Sequence, residues 1–462
     1  MPLPRRFKLH RAALLVPLAL AFGAAGSARA QSLLELYNAA RAYDAVYLAT
    51  RSQADAAQFR ADQARALKLP SVGLAGTANL GYSDTPDSDS ALTARTKSAQ
   101  LAINGQQTLF NKADSATISQ AERGVTIAQA QLRGAEQDLI VRLSQAYFDV
   151  LAASDTLGTV LASKKAISEQ LASAKRNFEV GTATITDTRE AQARYDLALA
   201  QEIAADNDLR VKQLALEQTV GRTGISPRPL AVPVELPLLV PAAVDDWVIN
   251  ADNQSPAVQQ ARLALEVAKL ETDKARAGHL PTVTLTASVG TGRNLASGDA
   301  ATGLAPPLPQ TTAYNLNNSG TTAGIGLTVN VPLFAGYSIQ NRVKETLSLE
   351  EKSVSDLDFA RRTVAQGTRQ AFFGVQSGHA QVKALEAAES SSKLALEATQ
   401  LGYRVGVRVN IDVLNAQTQL FQTQRDLSKA RYDVVMGGLR LRQASGLLVP
   451  DDVQAVNTLL AR

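Results

Sequence analysis

A strict two-residue alternation of apolar and polar side chains runs through residues 282–289. The apolar positions are Val283, Leu285, Ala287 and Val289, and the positions between them are Thr or Ser. This period predicts a β-strand with one apolar and one polar face. Three further stretches alternate in the same way, near residues 71–82, 100–109 and 324–333. We therefore predict two β-hairpins, 71–109 and 282–333, with strands of about 9–11 residues, the length that crosses a bilayer.

The segments that join the strands of each hairpin are polar. Residues 83–90 form the first segment, and the longer Gly/Pro/Asn-rich stretch 292–321 forms the second. Asp84, Asp87 and Asp89 cluster in the first segment and could bind calcium. Because no glycine-turned ligand loop surrounds them, we interpret this cluster as a solvated loop.

Helical periodicity dominates the rest of the chain. Proline is absent from 87–226 and from 333–449, and both stretches are rich in residues that favour helix. Between Leu139 and Phe178, alternating steps of four and three residues meet an apolar side chain at eleven of twelve positions. That spacing is typical of a coiled-coil seam. We predict a helix from Lys112 to Val180, which would be roughly 100 Å long if continuous.

The chain is internally duplicated. Residues 178–187, FEVGTATITD, align with residues 403–412, YRVGVRVNID, at an offset of 225. A proline-dense run at 227–241 separates the two copies and is typical of a linker. The predicted order of segments is a signal peptide 1–30, a first repeat 31–224, a linker 225–245, a second repeat 246–446 and a C-terminal segment 447–462.

The N-terminal residues predict export from the cytoplasm. A basic start precedes an apolar stretch at 12–25 and an Ala-Arg-Ala cleavage site at 28–30, which is the arrangement of a secretory signal peptide. The apolar stretch is shorter than the roughly 20 residues of a membrane-spanning helix. The signal holds five of the 47 basic residues and none of the 43 acidic ones, so the remaining chain is nearly neutral. This balance argues against a nucleic-acid partner.

Side chains that could carry out chemistry are sparse. The sequence has no cysteine, and the two histidines that follow the signal, His279 and His379, lie a hundred residues apart. Such spacing disfavours a metal site. Nucleotide-binding, zinc-protease and serine-hydrolase motifs are absent from the sequence. We therefore expect no cofactor, no bound metal and no enzymatic activity.

The number of predicted strands constrains the assembly. Four strands do not close a barrel, and open strand edges are not tolerated in lipid. Two chains would give eight strands, whose interior must be filled by side chains, but the predicted polar faces carry only small residues. Three chains would give twelve strands and room for water. A soluble sandwich of the two hairpins is the alternative, and it leaves the long helices unexplained.

These features together resemble the TolC family of outer-membrane channel-tunnels. The resemblance is carried by residues 178–196, 278–288 and 402–418 and by the duplication itself. It implies a mixed α+β membrane protein that forms a homotrimer. A twelve-stranded transmembrane β-barrel would be continuous with a long periplasmic α-helical coiled-coil barrel, and the linker and C-terminal segment would help to build an equatorial belt.

The same resemblance implies a function and partners. The trimer would be a passive exit duct for efflux of small molecules or for type I protein secretion. It would lie in outer-membrane lipid and dock through a periplasmic adaptor, or membrane fusion protein, onto an inner-membrane transporter of the ABC, RND or MFS class. A trimeric coiled-coil adhesin or periplasmic scaffold without a pore is the alternative.

The two repeats differ where the resemblance implies a gate. The second repeat alone gains a phenol and a guanidinium, at Tyr403 and Arg408. By the resemblance both would bind Asp187, and Arg408 would also reach Thr186, forming a latch that holds the periplasmic tip closed through charge-assisted hydrogen bonds. A plain structural salt bridge at a helix turn is the alternative.

The resemblance also implies a pore constriction. In similar channels two aspartates one turn apart form rings at the narrowest point, and here the matching residues are Asp412 and Asn415. We therefore expect a cation-preferring constriction that multivalent cations block more weakly than in an all-aspartate relative.

Adaptor docking is the third implied site. The matching residues form one Val-Gly pair in each repeat: Val180, Gly181, Val405 and Gly406. Glycine there would let another backbone approach closely. The alternative role of these glycines is to end a helix.

Overall fold

The structure is a computed structural model that describes residues 30–85, 92–231, 236–237, 239–301 and 311–461. The predicted signal peptide, apart from Ala30, lies outside the described residues, as do Asp87 and Asp89. The helices are α1 (Leu33–Tyr43), α2 (Ala45–Arg65), α3 (Lys112–Glu179), α4 (Ile185–Val220), α5 (Val244–Gln254), α6 (Pro256–Ala277), α7 (Ser338–Arg404), α8 (Asn410–Ala444) and α9 (Pro450–Asn457). The strands are β1 (Ser71–Thr85), β2 (Leu92–Phe110), β3 (Thr282–Ala301) and β4 (Thr311–Asn330).

The four strands form one antiparallel sheet in the order β1-β2-β3-β4. The predicted pairing into two hairpins is confirmed, but the predicted strand lengths are wrong. The strands contain 15, 19, 20 and 20 residues. Most of the segment predicted as a loop, 292–321, is strand, and Asp84 lies within β1. Residues such as Gly and Asn are poor strand formers, yet they extend these strands because their backbone groups pair with neighbouring strands, on both sides in β3 and on one side in β4.

Register partners across the sheet share a face, so the register sorts the side chains into two sets. One face carries the large aliphatic residues, among them Val72, Leu74, Leu101, Ile103, Val289, Ile325 and Leu327. The opposite face carries Ser, Thr, Asn, Gln, Gly and Ala along most of its length. Leu80 is 83% exposed in the single chain, and an apolar face left open to this degree marks an interaction surface.

The helical layer is dominated by two long antiparallel pairs, α3 with α4 and α7 with α8. α3 contains 68 residues and ends one residue before the predicted end. The buried positions of the predicted seam are Leu139, Leu143, Val150, Ala153, Ile167, Leu171 and Ala174. Phe178, the last seam position, is instead exposed because the helix ends one residue later. Among the described helices, none combines the length and the apolar character needed to cross a membrane.

The largest core lies midway along α3, where α1, α3, α8 and α9 meet. Tyr37, Tyr147 and Phe148 are buried there. The linker and the C-terminal segment come together beside this core, because Ala231 N–H donates to the Leu459 carbonyl and Ala461 N–H donates to the Pro229 carbonyl. A short bridge also joins Leu230 and Leu460.

A partly buried acidic group lies at the junction of α3 and α8. The Tyr432 hydroxyl donates to the Asp155 carboxylate at 2.7 Å. Burial raises the pKa of Asp155 above its ordinary value, and the hydrogen bond from Tyr432 opposes this rise. Because the protonated form is favoured in the folded chain, ionised Asp155 lowers the free energy of unfolding at neutral pH.

We expect Asp155→Asn to stabilise the protein at neutral pH, because the amide oxygen can still accept the Tyr432 hydroxyl and no charge is buried. The melting temperature should rise on the order of 2 °C at pH 7. The gain should shrink as the pH falls and vanish below about 3.8, where the carboxyl is protonated in both folded and unfolded chains. Thermal unfolding followed by circular dichroism measures this difference.

Asp149→Asn is the matched control on the same helix. Its carboxylate accepts from Lys212 Nζ at 3.2 Å, so its loss should give no gain at neutral pH. An equal gain in both variants, or a gain for Asp155→Asn that persists in acid, would contradict the assignment.

Candidate functional site

The turns that close the two long helical hairpins lie at the end of the molecule away from the sheet. α3 starts two residues after β2 ends and runs for 68 residues, which carries its far end roughly 100 Å from the sheet. α7 starts shortly after β4 and is 67 residues long. Residues 180–184 and 405–409 therefore lie together at this distant end, and we call these two turns and the adjoining helix ends the tip.

Both turns are built in the same way. Gly181 N–H donates to the Phe178 carbonyl and Thr182 N–H to the Asn177 carbonyl, and the second repeat repeats the pattern from Gly406 and Val407. This pair of bonds is the Schellman motif, which requires a left-handed residue after the helix. Gly181 and Gly406 have φ of 77° and 79°. The alternative role of these glycines in ending a helix is therefore confirmed, whereas their role in docking remains a prediction.

Exposed apolar side chains surround the two turns. They include the valine of each predicted docking pair: Val180 and Val405 are 72% and 66% exposed. The others are Phe178, Ile185, Val407 and Val409. A Cβ added at Gly181 or Gly406 would meet no atom within 4 Å, so the space beside each turn is open.

The two hairpins are joined at the tip by side-chain amides. Asn410 is buried at the start of α8; its Nδ2 donates to the Asp187 carbonyl at 3.4 Å, and its Oδ1 accepts from Gln170 Nε2 on α3. Asn177 Nδ2 donates to the Tyr403 hydroxyl at 3.3 Å. Each of these bonds would break if the hairpins separated.

The four predicted latch residues lie at the tip but engage other partners within the chain. Arg408, in the turn before α8, pairs with Asp412 on the first turn of that helix at 3.6 Å. The Asp187 carboxylate accepts from both the N–H and the hydroxyl of Thr184, which caps the start of α4. Within the described part of one chain, neither Tyr403 nor Arg408 forms a hydrogen bond or ion pair with Thr186 or Asp187.

The predicted constriction residues lie on the first turns of α8. Asp412 faces Arg408, as described above, and the Asn415 Oδ1 accepts from Arg194 Nη2 on α4 at 3.0 Å. Asn415 is exposed and Asp412 is half-buried. Groups of acidic, His or Cys side chains that could hold a metal ion are absent from the described residues.

The sequence analysis missed Asn410, Gln170, Asn177 and Arg194. The signal that could have found two of them is the duplication. At the offset of 225, Asn410 replaces Ile185 and Asn177 is replaced by Gly402. A polar residue that replaces an apolar one in a single repeat indicates a contact that the other repeat does not make.

Several known proteins are similar to this chain in sequence and in fold. The family model described as outer membrane efflux protein matches residues 36–222 and 247–447, one match for each repeat. The chain is 32% identical to the outer membrane protein TolC of Vibrio cholerae, covering 93% of each chain. It is 29% identical to the proteases secretion protein PrtF of Dickeya chrysanthemi, covering 96% of this chain and 94% of that protein.

A solved structure supports the fold independently. The crystal structure of the outer membrane protein VceC from Vibrio cholerae superposes with a TM-score of 0.71 at 20% identity, covering 90% of this chain and 96% of that one. The fold, the repeat match and the identity over most of the chain agree with one another. The chain therefore belongs to the outer membrane efflux protein family, the family of TolC, and is a protein of the outer membrane.

Proposed function

We propose that three copies of this chain form a passive exit duct. The observation that carries the proposal is the four-stranded sheet, whose outer strands β1 and β4 each have one edge that no other described strand pairs with. Unpaired backbone groups cost several kcal/mol each in lipid. Twelve strands from three chains would pair every edge, turn the aliphatic face toward lipid and enclose the polar face.

The polar face favours a duct over a scaffold without a pore. Its side chains are mostly Ser, Thr, Asn, Gln and Gly, which leave room for water inside a twelve-stranded barrel. A coiled-coil adhesin or scaffold would have no use for a wide polar interior. The proposed domain division keeps repeats 31–224 and 246–446 as the two halves of each subunit, with the linker 225–245 and the segment 447–462 in an equatorial belt.

The energy for export would come from partners, since the sequence has no nucleotide-binding motif. PrtF is a proteases secretion protein, and the family model is named for efflux. We propose that this chain likewise serves efflux or type I secretion, docked through a periplasmic adaptor to an ABC, RND or MFS transporter.

The tip would be the gate, and the amide bridges between hairpins support this. The proposed latch comprises Thr186, Asp187, Tyr403 and Arg408. Tyr403 accepts the Asn177 bond that joins the two hairpins, and Arg408 in the turn pairs with Asp412 at the start of α8. Rearrangement of the carboxylates, or contact with a neighbouring subunit, would bring Arg408 to Asp187.

We expect Tyr403→Phe with Arg408→Ser to open the duct. A hydrogen bond of this kind contributes about 1 kcal/mol, so loss of three equivalent bonds per trimer should raise the open probability by roughly tenfold or more. Single-channel recording in a planar bilayer measures this change. Tyr195→Phe removes a phenol from α4 roughly 15 Å along the helix from its start at the tip and should conduct like wild type. A purified trimer that never conducts, even in the double variant, would overturn the duct and favour the scaffold.

The constriction can be tested through its charge. We expect Asp412→Asn to nearly abolish block by multivalent cations and Asn415→Asp to strengthen it. Because Arg194 donates to Asn415, it would partly neutralise the new carboxylate. The block should therefore be stronger still when Arg194→Gln accompanies Asn415→Asp. If reversal potential and block stay constant in all three variants, Asp412 and Asn415 do not line the narrowest point.

Adaptor docking can be separated from helix capping by the choice of substitution. Asn tolerates the left-handed backbone of Gly181 and Gly406, and the space around both is open. Gly181→Asn with Gly406→Asn should reduce export at least roughly tenfold and leave trimers in the outer membrane, because the added side chains would obstruct the adaptor.

The matched control is Gly224→Asn, which has a similar φ of 72° and open space but lies away from the tip. It should retain export, measured as dye accumulation in cells that make the chain with its own adaptor and transporter. Full export by the tip variant would count against docking at these turns.

A further inference from the structure

Charged side chains in the sheet are confined to one face. In the described strands they are Asp84, Arg95, Lys97, Arg293 and Asp299. The register puts all five on the same face as the large aliphatic residues, and none on the polar face. In the proposed barrel the charges would therefore project toward the membrane side, where an isolated charge is costly.

The three basic residues are neighbours. Arg95 and Lys97 are two residues apart on β2, roughly 7 Å along one face. Arg293 on β3 lies opposite Ala99, which makes it the diagonal neighbour of Lys97, roughly 7–8 Å away. Arg95 and Arg293 are four register positions apart, roughly 13 Å along the strands, with Lys97 between them. The three side chains therefore form a row that can contact more than one phosphate of a single headgroup.

Their partners in the described chain are neutral. Arg293 Nε donates to Asn317 Oδ1 at 3.0 Å, and the Arg95 guanidinium lies 5.9 Å from the centre of the Tyr82 ring. Lys97 lies opposite two leucines, Leu80 and Leu295. Among the described residues none of the three forms an ion pair. Within the described residues, the positive charge of these three side chains on the apolar face is therefore not neutralised by an ion pair, although Asp84 and Asp299 are diagonal neighbours of Arg95.

The basic residues lie at the far boundary of the aliphatic band. Ten residues separate Val283, at the start of β3, from Arg293, which is roughly 33 Å along a strand and roughly 25 Å along the membrane normal at the tilt of such barrels. The aliphatic band of outer-membrane barrels has this height. The helices join the sheet at the Val283 end, so Arg293 lies at the outer surface.

Acidic side chains lie beyond the basic ones on the aliphatic face, farther from the helices. Along β3 the apolar face passes from aliphatic residues to Arg293 and then, six residues on, to Asp299. On β1 the acidic residue, Asp84, likewise lies beyond the level of Arg95. The basic level thus lies between hydrocarbon and water, at the height of lipid headgroups. β2 and β3 are the inner strands of the sheet, so a neighbouring subunit at β1 or β4 would not cover it.

We propose that Arg95, Lys97 and Arg293 bind the phosphate groups of the phosphorylated glycolipid in the outer leaflet of the outer membrane. The site rests on the proposed barrel, and each trimer would carry three copies. Two guanidiniums and an ammonium match a phosphate in charge and hydrogen-bond geometry, and Leu80 and Leu295 contact the adjoining acyl chains.

Native mass spectrometry of the purified full-length protein tests this site. The probes are lipid A with two phosphates, the same lipid with both phosphates removed, and inorganic phosphate. Wild-type trimers should retain bisphosphorylated lipid A and neither other probe. Each basic residue at a charged lipid surface contributes about fivefold in binding, so Arg95→Gln, Lys97→Gln and Arg293→Gln together should weaken binding roughly a hundredfold.

A control with the same charge change replaces Lys175, Lys383 and Lys393 by Gln. These exposed lysines lie on α3 and α7, away from the sheet, and their loss should leave lipid binding unchanged. If the triple sheet variant fails to assemble, Arg293→Gln alone should weaken binding roughly fivefold.

Lipid binding tests the proposed phosphate site, whereas the trimer mass tests the proposed barrel. Equal retention by the sheet variant and wild type would overturn the site, as would equal binding of the dephosphorylated lipid or displacement by inorganic phosphate. A trimer mass with no lipid preference counts against this site alone, whereas absence of the trimer from wild type counts against the proposed barrel.

Discussion

Unpaired backbone groups at the outer edges of β1 and β4 are the constraint on which the rest of the structure depends. In water such edges can be solvated, but in hydrocarbon each unmet N–H or C=O costs several kcal/mol. A single chain of this protein therefore cannot lie alone in a bilayer. The side chains on the polar face of the sheet are too small to fill the interior of an eight-stranded barrel formed by two chains. The proposed trimer, with twelve strands, therefore satisfies the constraint.

The small side chains that leave space in the sheet have a counterpart in the helices. Alanines line the contact between α3 and α4, where Ala174, Ala191 and Ala198 are buried. Small residues let the helix axes approach closely, so long helices can associate along most of their length with little bulk between them. Polar contacts then specify the register, as when Lys164 on α3 pairs with Glu202 on α4.

The two repeats form similar helical hairpins, and the residues that differ between them form the hydrogen bonds that join the hairpins at the tip. Both hairpins end in the same left-handed glycine turn. Only the second begins its returning helix with a buried asparagine, Asn410, where the first has Ile185. The bridges from Asn410 and Tyr403 to the first hairpin are hydrogen bonds worth about 1 kcal/mol each. In the proposed gate, contacts of that size would hold a closed state and still permit it to open.

Local and periodic features were determined by the sequence alone. The alternation around Val283 predicted a strand, the seam from Leu139 predicted a helix whose observed end differs by one residue, and the constant offset identified the duplication. The family resemblance carried by these segments was also correct. Each of these features depends on residues close in sequence or on a repeated spacing, so each can be predicted without knowledge of the tertiary structure.

Tertiary structure alone decided which distant groups meet. β3 and β4 extend through Gly292, Asn294 and Asn317 because neighbouring strands pair their backbones, which no local propensity predicts. Tyr403 meets Asn177, and Asn410 meets Gln170, across more than 220 residues of chain. The same register gathers Arg95, Lys97 and Arg293 on the aliphatic face. Such contacts arise only when separate helices and strands pack, and the sequence records the residues but not their partners.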